Sequence, residues 1–162
     1  MWGRRFIIAV LFFIMLVPVL AVQNVGFGLT VSGDFNGIVF LLPSKTKLNP
    51  QIITSGYITD NYYNLLAGTK LLWELSEKDN VERYTGVGAG TSVFSVYNLE
   101  DDYFQKNNSY FGQAFLGTKV SWLNRYLAAP IKFCTEIGLS VNVTQERTTA
   151  RTYLGGGIEY EF

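Results

Sequence analysis

The sequence predicts an all-β protein: an eight-stranded antiparallel up-and-down β-barrel that spans a membrane, following a cleaved signal peptide. Three observations predict it. After the first apolar run, apolar and polar residues alternate with a period of two through most of the chain, and no helical period persists. A strand–connection–strand unit occurs twice at a nearly constant offset. The chain ends on an alternating stretch, Ala150 to Phe162, whose last residue is aromatic. An open soluble sheet that ended so would carry a sticky edge, whereas a closed barrel pairs its last strand with its first.

The N-terminus reads as a secretory signal. Arg4 and Arg5 make a basic start, Phe6 to Val17 is uncharged and apolar, and Pro18 breaks the run. Val19-Leu20-Ala21 then offers small residues at the usual cleavage positions. The competing reading is a retained membrane anchor. Cleavage after Ala21 divides the chain into 1–21, the signal peptide, and 22–162, one barrel domain. Of 13 basic and 13 acidic residues, removal of Arg4 and Arg5 leaves 11 basic and all 13 acidic. Nothing there would hold nucleic acid by phosphate neutralisation. Cys134 is the single cysteine, so no internal disulfide forms. Histidine is absent, which removes the usual general base and the commonest zinc ligand. No catalytic, cofactor-binding or metal-ligating set emerges, and the expectation is a non-enzyme without a cofactor.

Val25, Phe27, Leu29 and Val31 alternate with Gly26, Gly28, Thr30 and Ser32 as the first strand. Asp34-Phe35-Asn36-Gly37 supplies turn chemistry. Ile38 to Leu42 is the second strand, Pro43 to Pro50 a connection, and Gln51 to Thr59 the third strand, with weak alternation across 36–59. The repeat then begins. Leu66 to Trp73 matches Phe115 to Trp122 at an offset of 49, sharing Gly-Thr-Lys-x-x-Trp, and Val87 to Val93 answers Ile137 to Val141 at 50. A period of this length marks a duplicated hairpin.

The repeat fixes facing. Strand four sends Leu65, Ala67, Thr69, Leu71 and Trp73 one way, and Leu66, Gly68, Lys70, Leu72 and Glu74 the other. Strand five sets Val87, Ala89, Thr91 and Val93 against Gly86, Gly88 and Gly90, and strand six sets Ala114, Leu116, Thr118 and Val120 against Gln113, Gly117 and Lys119. Strand seven is clearest: Phe133, Ile137, Leu139 and Val141 oppose Lys132, Cys134, Glu136 and Ser140. In strand eight, Leu154, Ile158, Tyr160 and Phe162 oppose Tyr153, Glu159 and Glu161. The glycine-rich run from Gly86 to Thr91 lies on one strand and lacks the strand–turn–helix context of a phosphate loop; its glycines make room for larger side chains in a narrow barrel.

Alternation alone leaves open which face is inside. A soluble barrel would put the apolar set around a ligand cavity, and a membrane barrel would put it outside. The signal, Phe162 and two belts of aromatic residues favour the second. Trp73, Trp122, Tyr126, Tyr160 and Phe162 fall near one end of the strands, and Tyr62, Tyr63, Tyr97, Tyr103, Tyr110 and Phe111 near the other. The inward charges are then Lys70, Glu74, Glu82, Lys119, Lys132, Glu136, Glu159 and Glu161, expected to pair and fill the lumen, with Lys70 and Lys119 at similar depth. The repeated hairpins turn through 76–80 and 123–129 on the side of the termini, and the longest polar segment, 96–109, lies on the other side.

The terminal strand, with Phe162, Tyr160, Ile158 and Leu154 in register, resembles the last strand of bacterial outer-membrane β-barrels, where such an ending is a signal to the barrel assembly machinery. In architecture, repeat period and ending, 22–162 resembles the OmpA-like and OmpX-like small barrels. The resemblance implies the bacterial cell outer membrane as location, with outer-membrane lipid and the assembly machinery as partners. Some small outer-membrane barrels are lipid-modifying enzymes that use a histidine, which this chain lacks. The expected role is structural or adhesive, presenting loops to the outside, with an extracellular partner contacted through 96–109. The alternatives are a small pore and a soluble periplasmic barrel binding an apolar ligand.

Overall fold

Alternation becomes a wall. The computed structural model describes residues 25–59, 62–98, 103–121 and 130–161, and of 96–98 and 103–106 the backbone alone. Eight strands follow one another: β1 (Gly26–Ser32), β2 (Phe35–Leu41), β3 (Leu48–Ile58), β4 (Tyr62–Lys78), β5 (Val81–Asn98), β6 (Tyr103–Val120), β7 (Ile131–Thr144) and β8 (Thr148–Glu161). Each pairs antiparallel with its neighbours, and β1 pairs with β8 to close the barrel. The predicted signal peptide, 1–21, lies outside the described residues.

Apolar side chains cover the outside. Leu154, Ile137, Leu139, Leu29 and Val31 are all more than half exposed, while Lys70, Lys119, Glu136 and Glu159 are buried in the lumen. That inverts a water-soluble barrel and is the arrangement of a transmembrane one. The facing expected for β4 to β8 is the facing observed, except at Tyr62 and Phe111, which were expected in an outer aromatic belt.

The register fixes the slant. Stepping across hydrogen-bonded partners from Gly28 through Val39, Ile53, Gly68, Gly90, Phe111 and Asn142 leads to Thr149, seven residues before Gly156, which pairs with Val31. One circuit therefore climbs ten residues along β1, which sets strand tilt and keeps the lumen only wide enough for side chains. It also corrects one expectation. Lys70 pairs with Gly88, which pairs with Gln113, so Lys119 lies six residues further along β6. Even after the slant between β4 and β6, Lys119 sits roughly 8 Å deeper towards the termini than Lys70.

Several boundaries differ from the sequence reading. The first turn is Gly33-Asp34, not Asp34 to Gly37, because Gly33 takes the left-handed conformation (φ 65°) and Ser32 pairs with Phe35. Phe35 thus starts β2 and is completely buried. β3 begins at Leu48, inside the expected connection. The turn between β4 and β5 is only Asp79-Asn80, both left-handed, as short polar side chains permit. The connection expected at 123–129 lies outside the described residues. Most of 96–109 is strand: β5 and β6 pair as far as Asn98↔Tyr103.

The wall is uneven. β1 and β2 have 7 residues each, whereas β4 has 17 and β5 and β6 have 18 each. At the end away from the termini the rim is therefore high at β5–β6 and low at β1–β2.

Candidate functional site

Among the described residues, the lumen gathers seven charged side chains into ion pairs, and the slant of the strands decides who meets whom. At mid-height, Lys70 Nζ of β4 lies 2.7 Å from Glu136 Oε2 of β7 and donates to Ser32 Oγ at 2.9 Å. Ser32 Oγ in turn donates to Glu136, and Tyr84 donates its hydroxyl proton to Glu136 Oε1 at 3.1 Å. The ammonium sits 4.9 Å from the Phe115 ring centroid and 5.4 Å from that of Phe35, so two ring faces share in holding it. Deeper, Lys119 pairs with Glu159 at 2.7 Å, and Gln51 donates to the same carboxylate at 2.8 Å. At the rim near the termini, Lys132 bridges Glu161 at 2.9 Å and Glu82 at 3.3 Å.

Aromatic and aliphatic side chains fill the space between the charges. One cluster joins Phe35, Val39, Leu41, Ile53, Leu66 and Phe111; a second joins Leu72, Tyr84 and Phe115. Glycines make room for them. A Cβ on Gly88 would lie 2.7 Å from the Phe35 ring, one on Gly90 2.7 Å from Phe111, and one on Gly117 2.4 Å from Tyr84. The expectation that inward glycines yield space to larger neighbours is met ring by ring.

Above this plug lies an unforeseen cluster. Asp34, in the β1–β2 turn, accepts from Ser140, from Asn142 at 3.1 Å and from Arg151 at 2.8 Å. Arg151 also donates to the Gly33 carbonyl at 3.3 Å. The short hairpin is thereby tied across the mouth to β7 and β8.

Of the charges read from sequence, Lys70, Lys119, Lys132, Glu82, Glu136, Glu159 and Glu161 come together as lumen pairs. Glu74 faces inward but reaches no ion pair among the described residues; its backbone N–H donates to the Lys47 carbonyl. Phe111, expected in an aromatic belt, is inside, because it shares parity with Gln113 and Phe115. Tyr62 shares parity with inward Asn64 and packs on Tyr57 at 6.0 Å. Trp73 and Tyr110 are exposed on the outer face as expected. Tyr160 stacks on Phe27 at 5.8 Å, beside outward Leu154 and Ile158. Trp122, Tyr126 and Phe162 lie outside the described residues.

Sequence reasoning missed Ser32, Asp34, Gln51, Tyr84 and Arg151. Tyr84 was within reach, since its parity matches Gly86 and Gly88; Asp34 was masked by its turn chemistry. The set holds acids, amides and ammonium groups in closed pairs. Cys134 is buried among them, and no acidic or thiol cluster among the described residues is arranged to hold a metal.

No protein-family model and no curated protein matches the sequence. Among solved structures, the N-terminal β-barrel domain of Pseudomonas aeruginosa OprF matches with a TM-score of 0.55 and 13% identity, over 87% of this chain and 98% of that one. Neisserial surface protein A (NspA) matches with a TM-score of 0.49 and 12% identity, over 86% of this chain and 94% of that one. Together with closure, strand number and an apolar exterior, the first match shows that the chain has the fold of the small OmpA-like and OmpX-like outer-membrane barrels.

Proposed function

We propose that the chain is an outer-membrane barrel with a sealed lumen, whose role is structural and surface-presenting. The observation that carries this reading is the Lys70–Glu136 pair held between two aromatic clusters at mid-height. In a barrel of eight strands, such a plug leaves no continuous water path. The apolar exterior and the fold support insertion into the outer membrane, with Phe162, Tyr160, Ile158 and Leu154 as the signal to the assembly machinery. The hairpin of β5 and β6, standing above the low β1–β2 rim, is the part best placed to contact an extracellular partner through 96–109. Its strands give it a stiff frame, which lowers the ordering cost of binding relative to a free loop.

Planar-bilayer recordings on the purified barrel test the sealed lumen, with unboiled gel mobility establishing that it is folded. Rare, small openings are expected. Large, steady channels from folded protein would replace this reading with that of a pore.

A further inference from the structure

The rim has a gap on its low side, and two cavities meet there. The β2–β3 ladder stops at Ile38↔Thr54, although β2 starts at Phe35 and β3 runs on to Ile58. β1 pairs with β8 only as far as Val31↔Gly156, although β8 begins at Thr148. Above the Gly33-Asp34 turn the wall between β8 and β3 is therefore open. With the slant of the strands, that turn sits roughly 7 Å below Val143 at the upper edge of the apolar exterior.

Inside the gap is a polar cavity of about 220 Å³, lined by Asp34, Asn64, Ser92, Asn142 and Arg151 over a floor of Leu66 and Phe111. Outside it is an apolar groove of about 520 Å³ on the lipid-facing wall, running from Val93 and Leu65 past Ala67 down to Ile38 and Leu29. Ser55 and Leu66 line both. The inner cavity balances one acid against one base, since Asp34 and Arg151 pair. It nevertheless keeps unused capacity. Asn64 Oδ1 is buried without a donor, and Arg151 engages its partners through Nη2 alone, leaving further N–H groups of its fork.

We propose that this gap binds one membrane lipid, its acyl chain in the outer groove and its zwitterionic phosphate–amine head in the inner cavity. The groove faces the bilayer interior, so a hydrocarbon chain is its natural occupant. The cavity continues from the groove and spans the last ~7 Å below the upper edge of the apolar exterior, so a head drawn into it lies just beneath the plane of the neighbouring lipid heads. An amine or hydroxyl of the head donates to Asn64 Oδ1, and the phosphate accepts from Arg151. A net-neutral head matches the balanced cavity. The proposal rests on the transmembrane reading.

The test titrates the folded, delipidated barrel in detergent with single-chain lysophosphatidylethanolamine, read by native mass spectrometry. Wild type is expected to retain one equivalent. Ala67→Phe fills the groove from the outer face, and Asn64→Leu removes the head contact; each is expected to weaken binding at least tenfold. Ala114→Phe places the same ring on the outer face of β6, away from the groove, and is expected to bind as wild type does. Glycerophosphoethanolamine, the head without its chain, is expected neither to bind nor to compete. Equal losses in Ala67→Phe and Ala114→Phe, unsaturable uptake of many equivalents, or competition by the free head would each overturn the proposal. A chain that fails to insert into bilayers by unboiled gel mobility would sink the transmembrane reading itself, a different result from an inserted barrel that binds no lipid at the gap.

Discussion

Removing the charge of Glu136 while keeping its shape tests the plug most directly. Glu136→Gln leaves the Lys70 ammonium, 1% exposed, with Ser32 and two ring faces but no counter-charge. Breaking a buried pair from one side costs about 3–5 kcal/mol, because the remaining charge stays desolvated and uncompensated. Lys70→Met is expected near the lower end of that range, since Glu136 retains donors in Tyr84 and Ser32. The double variant Lys70→Met/Glu136→Gln strands no charge. It places apolar atoms between Phe35 and Phe115 and leaves the Tyr84 and Ser32 hydroxyls one amide oxygen in place of two carboxylate oxygens, at about 1–3 kcal/mol. Its cost should thus fall well short of the two single costs added together, by more than contacting residues usually show. The measurement is equilibrium unfolding in urea of barrels refolded into lipid vesicles, followed by unboiled gel mobility and tryptophan fluorescence. Single costs below about 1 kcal/mol, the range of exposed pairs, or additive costs in the double variant, would refute the reasoning.

Three further outcomes are expected. Leu139→Arg puts a charge on the lipid face and should cost about 2–4 kcal/mol in vesicles, whereas Leu139→Phe should be nearly neutral; equal effects in the same unfolding assay would count against the facing. Gly117→Ala should cost about 1–3 kcal/mol, because its Cβ would come within 2.4 Å of the Tyr84 ring; an unchanged unfolding midpoint would show that the ring moves freely. Phe162→Ala should lower the amount of assembled protein in the outer-membrane fraction while leaving refolding of the purified chain unaffected, and normal assembly would remove Phe162 from the signal.

Facing was legible from sequence because it depends only on parity. The run from Ile131 to Val143 alternates almost without fault, and the repeat carries the same parity to β4 and β6. Pairing was not legible, because it depends on slant. Lys70 and Lys119 match in the repeat, yet the climb of the strands gives them different depths and different carboxylates. The first turn was misread for a local reason. Asn36-Gly37 has good turn chemistry, but a turn there would take Phe35 out of the lumen, where it packs edge-on against Phe111 at 4.9 Å. Burial of one ring outweighs a turn preference that Gly33 satisfies equally well. The gap beside β2 had no sequence signal, since it arises from differences in strand length that only the assembled rim reveals.

The closing ladder also has a history in time. It joins Gly26 to Glu161, positions near opposite ends of the described chain, so it forms only after the intervening hairpins have been laid side by side. Towards the lumen, β1 brings to it only Gly26, Gly28 and Thr30. A Cβ on Gly26 would lie 2.3 Å from the Tyr160 carbonyl oxygen, and one on Gly28 2.1 Å from that of Ile158. The last contact to form is thus a backbone fastening, reinforced by the Phe27–Tyr160 stack. Parted there, the cylinder becomes a ribbon whose two loose borders must find each other again.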